Sequence, residues 1–220
     1  LVLAQRNAVL AAKQLATLDA IAGGRLIVGV GTGWREEEFR ILGADFAQRG
    51  RHLDEAVQVL RALWKGGAAT FHGRFYDFEG VTIGVRPGRV GGPPLWVGGN
   101  SDAALRRAAR YGDAWHPVNL PPERLAAALG ALHRQQGGRP PELTLRLGVE
   151  VREEGQPRSD WAAVSGTPEQ VRQALDAYAR VGVTHVAVIF GWDLDTIEGN
   201  VERFARGVLR PVQELAPPGG

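Results

Sequence analysis

Two short glycine-rich segments hold most of the chemistry this sequence can offer. Gly29-Val30-Gly31-Thr32-Gly33-Trp34 closes an apolar run, and glycines at the carboxyl end of a strand let a ligand approach the backbone closely. Gly98-Gly99-Asn100-Ser101 follows Leu95-Trp96-Val97 and opens into a helical pattern. A strand that ends in two glycines and enters a capped helix offers backbone N–H groups and the positive end of a helix dipole to an anion, with a serine hydroxyl beside them. That is the outline of a phosphate site, and also of an ordinary helix N-cap.

The first segment invites comparison with a dinucleotide fingerprint, G-x-G-x-x-G running straight into a helix with an acid ending the next strand about twenty residues on. Here the order is G-x-G-x-G, and the residues at that distance fall in the helix containing Asp54. A tight strand-to-helix turn reads better than a Rossmann site. Of the five histidines, His116 alone falls at the carboxyl end of a strand, where an imidazole can face a pocket. Glu36-Glu37-Glu38 resembles a paired acid and base only superficially, because three neighbours on one helical turn point mostly to solvent. No G-x-x-x-x-G-K-[ST], G-x-S-x-G or H-E-x-x-H string is present, which leaves nucleotide hydrolysis, serine-hydrolase and zincin chemistry without an anchor.

The elements that must position these segments alternate between two periodicities. Leu1 to Ala4 reads as the end of a strand, and with no methionine at position 1 the start reads as internal to a longer protein. Ala8 to Ile21 is helical, with Leu15 and Leu18 on one face and a stop at Gly23-Gly24. Leu26 to Val30 is a strand, and Arg51 to Trp64 is an amphipathic helix with Leu53, Val57, Leu60 and Leu63/Trp64 at helical spacing. Residues 65–94 read as an irregular rim excursion, either a surface cover or a substrate enclosure. Then come strand Leu95 to Val97, helix Asp102 to Tyr111, strand Ala114 to His116, helix Pro122 to about Gln135, strand Leu143 to Val151, helix Pro168 to Val181, strand Val186 to Phe190 and a terminal helix. About six βα units follow one another, the pattern of an open doubly wound sheet or of a closed barrel.

Bulk properties limit the functional class. The 220 residues suit a single domain, 1–220, and fall short of a typical eightfold barrel of ~250 residues. Charges balance closely, 26 basic against 24 acidic, with arginines spread along the chain, so a nucleic-acid partner is not expected. No apolar run approaches the ~20 residues of a membrane helix, and with no cysteine disulfides and thiolate metal sites are excluded. The expectation is a cytoplasmic protein with no membrane partner and no metal.

Read in order, Leu15-Ala16-Thr17-Leu18-Asp19, Gly23-Gly24-Arg25-Leu26, Gly29 to Trp34, Glu38-Phe39, Leu63-Trp64, Phe71-His72-Gly73-Arg74-Phe75-Tyr76, Pro94 to Ser101 and Gly112-Asp113-Ala114-Trp115-His116-Pro117 resemble the bacterial luciferase-like family. The deazaflavin-dependent branch looks closest. The resemblance implies a TIM-type (β/α)8 barrel, here incomplete at the N-terminus, because family members carry two further βα units and most of a third strand before this point. It also implies coenzyme F420 or FMN bound at the carboxyl face, with hydride transfer to or from the ring.

On that resemblance the phosphate lies at Gly98, Gly99, Asn100 and Ser101, and Gly31, Thr32 and Gly33 border the ring or its side chain. Trp34 stands where related deazaflavin sugar-phosphate dehydrogenases carry a catalytic glutamate, which disfavours sugar phosphates and favours an apolar or aromatic small-molecule substrate, with Trp34 and His116 in the substrate pocket. The exposed edge of an incomplete barrel points to a homodimer. The alternatives are an FMN-dependent monooxygenase and a non-catalytic relic of the fold that binds flavin weakly or not at all.

Overall fold

The computed structural model describes residues 1–136 and 141–209. The chain groups into two compact units, residues 1–115 and 116–220.

In the first unit, Val2 makes a single parallel bridge to Gly31 and a 3-10 turn covers Leu3–Gln5, so the expected opening strand is reduced to one paired residue. Asn7 caps helix α1 (Ala8–Ile21), its side chain accepting from the Leu10 amide, and Gly23 and Gly24 end it with φ of +62° and +77°. The buried face of α1 is not the leucine face the sequence suggests. Ala8, Ala11, Ala12, Ala16 and Asp19 are buried, whereas Leu10 and Leu18 are 56% and 51% exposed. Close packing explains the choice: the Trp64 indole N–H reaches the Ala12 carbonyl at 3.0 Å, an approach that a leucine at the interface would block.

Strand β1 (Val28–Val30) leads through residues 31–35 into helix α2 (Glu36–Ile41) and then α3 (Arg49–Trp64). Glu36, Glu37 and Glu38 are exposed, as expected, while Phe39 is fully buried. Helix α3 buries Leu53, Val57, Leu60, Leu63 and Trp64.

The 65–94 excursion contains a feature not foreseen, an antiparallel hairpin of β2 (Ala69–His72) and β3 (Asp77–Val81). Its turn is stitched to the helices. The Glu55 carboxylate on α3 accepts from the N–H groups of Arg74, Phe75 and Tyr76 at 3.0, 2.7 and 2.7 Å. The Tyr76 hydroxyl accepts from the Ala8 N–H at 3.0 Å and donates to the Arg6 carbonyl at 3.1 Å. Strand β4 (Leu95–Gly98), helix α4 (Asp102–Tyr111) and strand β5 (Ala114–His116) follow at the expected residues.

The second unit holds helix α5 (Pro122–Gln136), strands β6 (Glu142–Val151) and β7 (Val164–Gly166), helix α6 (Pro168–Arg180), strand β8 (Val183–Ile189) and helix α7 (Leu194–Phe204). β6 pairs in parallel with both β7 and β8. The sequence reading omits β7, whose three residues are too short to show a periodicity. Thr167 and Gln170 form a reciprocal capping box with Pro168 at the start of α6, the strongest helix signal a sequence can carry. Buried Asn200 on α7 joins the layer: its oxygen accepts from the Val151 N–H at 2.6 Å, and its amide donates to the carbonyls of Val149 and Phe190 at 3.1 and 2.9 Å.

Candidate functional site

The two glycine segments meet in the first unit. β1 and β4 are parallel neighbours with Val28 opposite Leu95 and Val30 opposite Val97, so Gly31-Thr32-Gly33-Trp34 and Gly98-Gly99-Asn100-Ser101 leave the sheet side by side at its carboxyl end. That end of a parallel sheet is where ligands bind in βα folds.

The glycines divide by what surrounds them. A Cβ built on Gly29 or Gly31 meets nothing within 4 Å, so these positions leave open room against the backbone. Gly33 has a packing role: its φ is +78°, and a Cβ there would stand 2.8 Å from both Phe39 and Val2. Gly99 is constrained twice, by a φ of +125° and by the Ala104 methyl, 2.9 Å from where its Cβ would sit. Thr32 donates weakly from Oγ1 to the Gly33 carbonyl at 3.4 Å.

The second segment is built as the sequence reading expects of a capped helix. Ser101 is the N-cap of α4, its hydroxyl oxygen accepting from the Ala104 N–H at 3.2 Å, and Asp102 adds an acid in the first turn. Behind the loop stands Trp115, 1% exposed, whose indole N–H donates to the Gly99 carbonyl at 2.9 Å. Among the described residues there is no cis peptide, and in a trans peptide C=O and N–H point in opposite directions. The N–H of Asn100 therefore faces away from Trp115. The base of β4 is held by Asp113, which accepts from the Leu95 N–H at 2.7 Å and from Arg61 at 2.5 Å. Trp115 and Asp113 are site supports that the sequence reading passes over, since nothing in local spacing announces a contact sixteen or eighteen residues away.

Trp34 is 76% exposed, with the Arg35 guanidinium 4.7 Å above its ring. His116 opens the second unit. Its Nδ1 lies 2.8 Å from the hydroxyl of fully buried Thr144. Burial, and after it the charge of Arg146, pull the His116 pKa below the usual imidazole value, which keeps the ring neutral at neutral pH. Among the described residues no group of three or more His, Cys, Asp or Glu side chains is placed to hold a metal, and no helix is long and apolar enough to cross a membrane.

A family model described as luciferase-like monooxygenase matches residues 1–156. An uncharacterized protein of Mycobacterium tuberculosis is 40% identical over 135 residues, 60% of this chain and 46% of that protein. An FMNH(2)-dependent dimethylsulfone monooxygenase of Pseudomonas putida is 39% identical over 113 residues, 50% of this chain and 31% of that enzyme. The chain thus spans about half the length, or less, of the curated relatives it matches.

Among solved structures, a monooxygenase of Streptomyces bottropensis superposes with a TM-score of 0.77 at 22% identity, covering 94% of this chain and 75% of that one. An F420-dependent secondary alcohol dehydrogenase superposes with a TM-score of 0.74 at 19% identity, covering 92% of this chain and 74% of that one. At these identities the superpositions speak to fold. The architecture is the α/β TIM-barrel class, with a mostly parallel sheet.

Proposed function

The chain belongs to the luciferase-like monooxygenase family, and from that membership and the paired glycine loops of its first unit we infer an oxidoreductase that holds a flavin-type cofactor by its phosphate. The observation that carries the reading is the register of β1 on β4, because it joins an open glycine backbone at Gly31 to a helix N-terminus at Ser101. In this reading Gly98, Gly99, Asn100 and Ser101 receive the phosphate, and Gly31, Thr32 and Gly33 border the ring or its side chain.

The residues present fit such a group. The unfilled space over Gly29 and Gly31 admits a flat ring system close to the backbone, and Gly99 gives the phosphate loop a conformation that a side chain would close. The α4 dipole and its first-turn N–H groups favour an anion. The bound cofactor supplies the hydride or oxygen chemistry itself, and the protein's part is to bind, orient and shelter it. Trp34 offers an aromatic surface at the same strand ends for an apolar or aromatic part of the substrate.

Coenzyme F420 is the cofactor the sequence wording favours, with hydride exchanged with a small organic substrate. A second reading, reduced FMN and a monooxygenase reaction, is supported by the dimethylsulfone monooxygenase relative. Both cofactors carry a phosphate to the same loop, so titration of the purified chain with F420 and with FMN separates them. Tighter saturable binding of one names the cofactor, and no binding of either removes the reading. A homodimer fits the outward row of Leu10, Leu18 and Ile21 on α1 (56%, 51% and 78% exposed), an apolar face that association would cover, and sedimentation equilibrium tests it.

A further inference from the structure

A histidine that the cofactor site does not use stands under the turn of the β2–β3 hairpin. His52 on α3 packs edge-on against Phe75, with ring centroids 4.9 Å apart, and tilted against Tyr76 at 5.5 Å. The turn is seated closely on this helix: a Cβ on Gly73 would collide with the Glu55 carboxylate, which accepts from three successive N–H groups of the turn. Tyr76 carries the fastening on to the start of α1 through the Arg6 carbonyl and the Ala8 N–H.

The hydrogen bonds fix the state of the ring. The Tyr76 hydroxyl has one proton, directed to the Arg6 carbonyl, which has none to give in return. Its oxygen is therefore an acceptor toward His52 Nε2, 3.4 Å away, and Nε2 carries the hydrogen of the neutral imidazole. Nδ1 is then the bare nitrogen. It is enclosed, and among the described residues it has no hydrogen-bond partner. A second proton has to go to Nδ1, where it places a donor and a positive charge that nothing meets, a state that burial disfavours. Exposing the ring removes that penalty, and the side chains over the ring belong to the turn.

The surrounding charges leave this balance in place. Burial lowers the His52 pKa below the ordinary imidazole value, and Glu55, one turn along the same helix, opposes it without reversing it. The elements packed against α3 are α1, α4, β2 and the 3-10 turn at Leu3–Gln5. On β2, His72 is paired with Asp77 at 2.6 Å. On α4, Arg107 is paired with Asp54, and Asp102, Arg106 and Arg110 are exposed. On α1, Lys13 is exposed and Asp19 accepts from the N–H groups of Leu26 and Arg89. The 3-10 turn carries no charged side chain, Arg6 beside it is exposed, and the Arg74 guanidinium lies 5.5 Å from the Phe75 ring.

We propose that His52 is an acid-released latch on the hairpin: the neutral ring holds the Phe75–Tyr76 turn against α3 and the start of α1, and uptake of a proton at Nδ1 frees the turn. The closed turn excludes the proton and the lifted turn accepts it from solvent, so lowering the pH draws the equilibrium toward the lifted form. The latch is fully closed above the ordinary imidazole value of about 6.5 and weakens as pH falls from there through the lowered value of the closed form. It operates whether or not the glycine loops hold a cofactor.

The test is amide hydrogen exchange of the full chain by NMR at pH 7.5 and 5.5, with each rate divided by its intrinsic rate at that pH. The N–H groups of Arg74, Phe75 and Tyr76 are expected to be less protected than the core amides of β4 at both values, because the turn opens by itself. Their protection is expected to fall at least about threefold between the two. His52→Gln keeps a polar side chain that takes up no proton and should remove the fall, and Tyr76→Phe should lower the protection of the turn at both pH values. In the parent chain the His52 ring resonances should titrate below about 6.5. A fall that persists in His52→Gln, turn amides as protected as those of β4, unchanged protection in Tyr76→Phe, or a His52 ring that titrates at or above the ordinary value would overturn the proposal.

Discussion

The indole N–H of Trp115 donates to the Gly99 carbonyl at 2.9 Å, so a fully enclosed side chain on one strand sets the peptide plane of the loop that ends its neighbour. The same bond fixes the direction of the Asn100 N–H. Replacing Trp115 by Phe keeps an aromatic ring but removes the donor, leaving the Gly99 carbonyl without it, and opens a small void where the larger indole was buried. A loss of about 1–3 kcal/mol is expected from an unsatisfied buried acceptor, measured by urea denaturation. If Trp115 also positions the phosphate loop, FMN affinity falls more than riboflavin affinity. Equal losses for the two would show a stability effect alone.

Ser101 and Gly99 should fail in different ways. Ser101→Ala removes the N-cap acceptor for Ala104 and costs about 1 kcal/mol, with a loss of cofactor affinity on top. Gly99→Ala keeps the cap, yet forces a side chain into a φ of +125° against the Ala104 methyl. The expected result is a chain that folds less stably and loses phosphate-dependent binding altogether, read by thermal melting and by cofactor titration in parallel.

Asn200 serves as a strut in the second unit. It bridges one N–H and two carbonyls in a fully buried position, and Asn200→Leu would strand all of them. A destabilisation of at least about 2–4 kcal/mol is expected, with loss of cooperative unfolding in the second unit. A change under 1 kcal/mol would contradict this role.

Two half-buried histidines impose a pH dependence of defined sign. Burial lowers the pKa of His52, with Glu55 opposing, and burial followed by the Arg146 charge lowers that of His116. A depressed folded-state pKa means the unfolded chain takes up protons first. Stability from both groups is complete above the ordinary imidazole value of about 6.5 and is lost as pH falls from there through the lowered folded-state values. Urea unfolding at pH 7.5 and at successive steps below 6.5 should show this decline, and the doubly substituted His52→Gln, His116→Gln chain should show less of it. An unchanged slope would rule these histidines out as the source.

Much of this was legible in the residues. The glycine pairs at Gly23-Gly24 and Gly98-Gly99, the cap at Ser101 and the strand Ala114–His116 are local signals with local causes, and the structure has them where the sequence places them. What escaped was decided by partners far along the chain. α1 is apolar on nearly every side, so its pattern alone could not tell that the alanines would pack inward and Leu10 and Leu18 outward. The hairpin at Ala69–Val81 depends on Glu55 receiving three successive N–H groups, and Trp115 and Asn200 gain their roles only from partners far along the chain. The side-by-side placement of the Gly31 and Ser101 loops belongs to the same class, since it follows from β4 pairing with β1 across sixty-odd residues.

The central claim is that the joined loops at Gly31–Gly33 and Gly98–Ser101 hold a flavin-type cofactor by its phosphate. Fluorescence titration of the chain with FMN, riboflavin and F420, repeated with Asn100→Ala and Ser101→Ala, tests it most directly. The account predicts saturable binding of FMN or F420, weak binding of phosphate-free riboflavin, and a loss of that difference in both variants. Equal affinity for FMN and riboflavin, or variants indistinguishable from the parent chain, would contradict it.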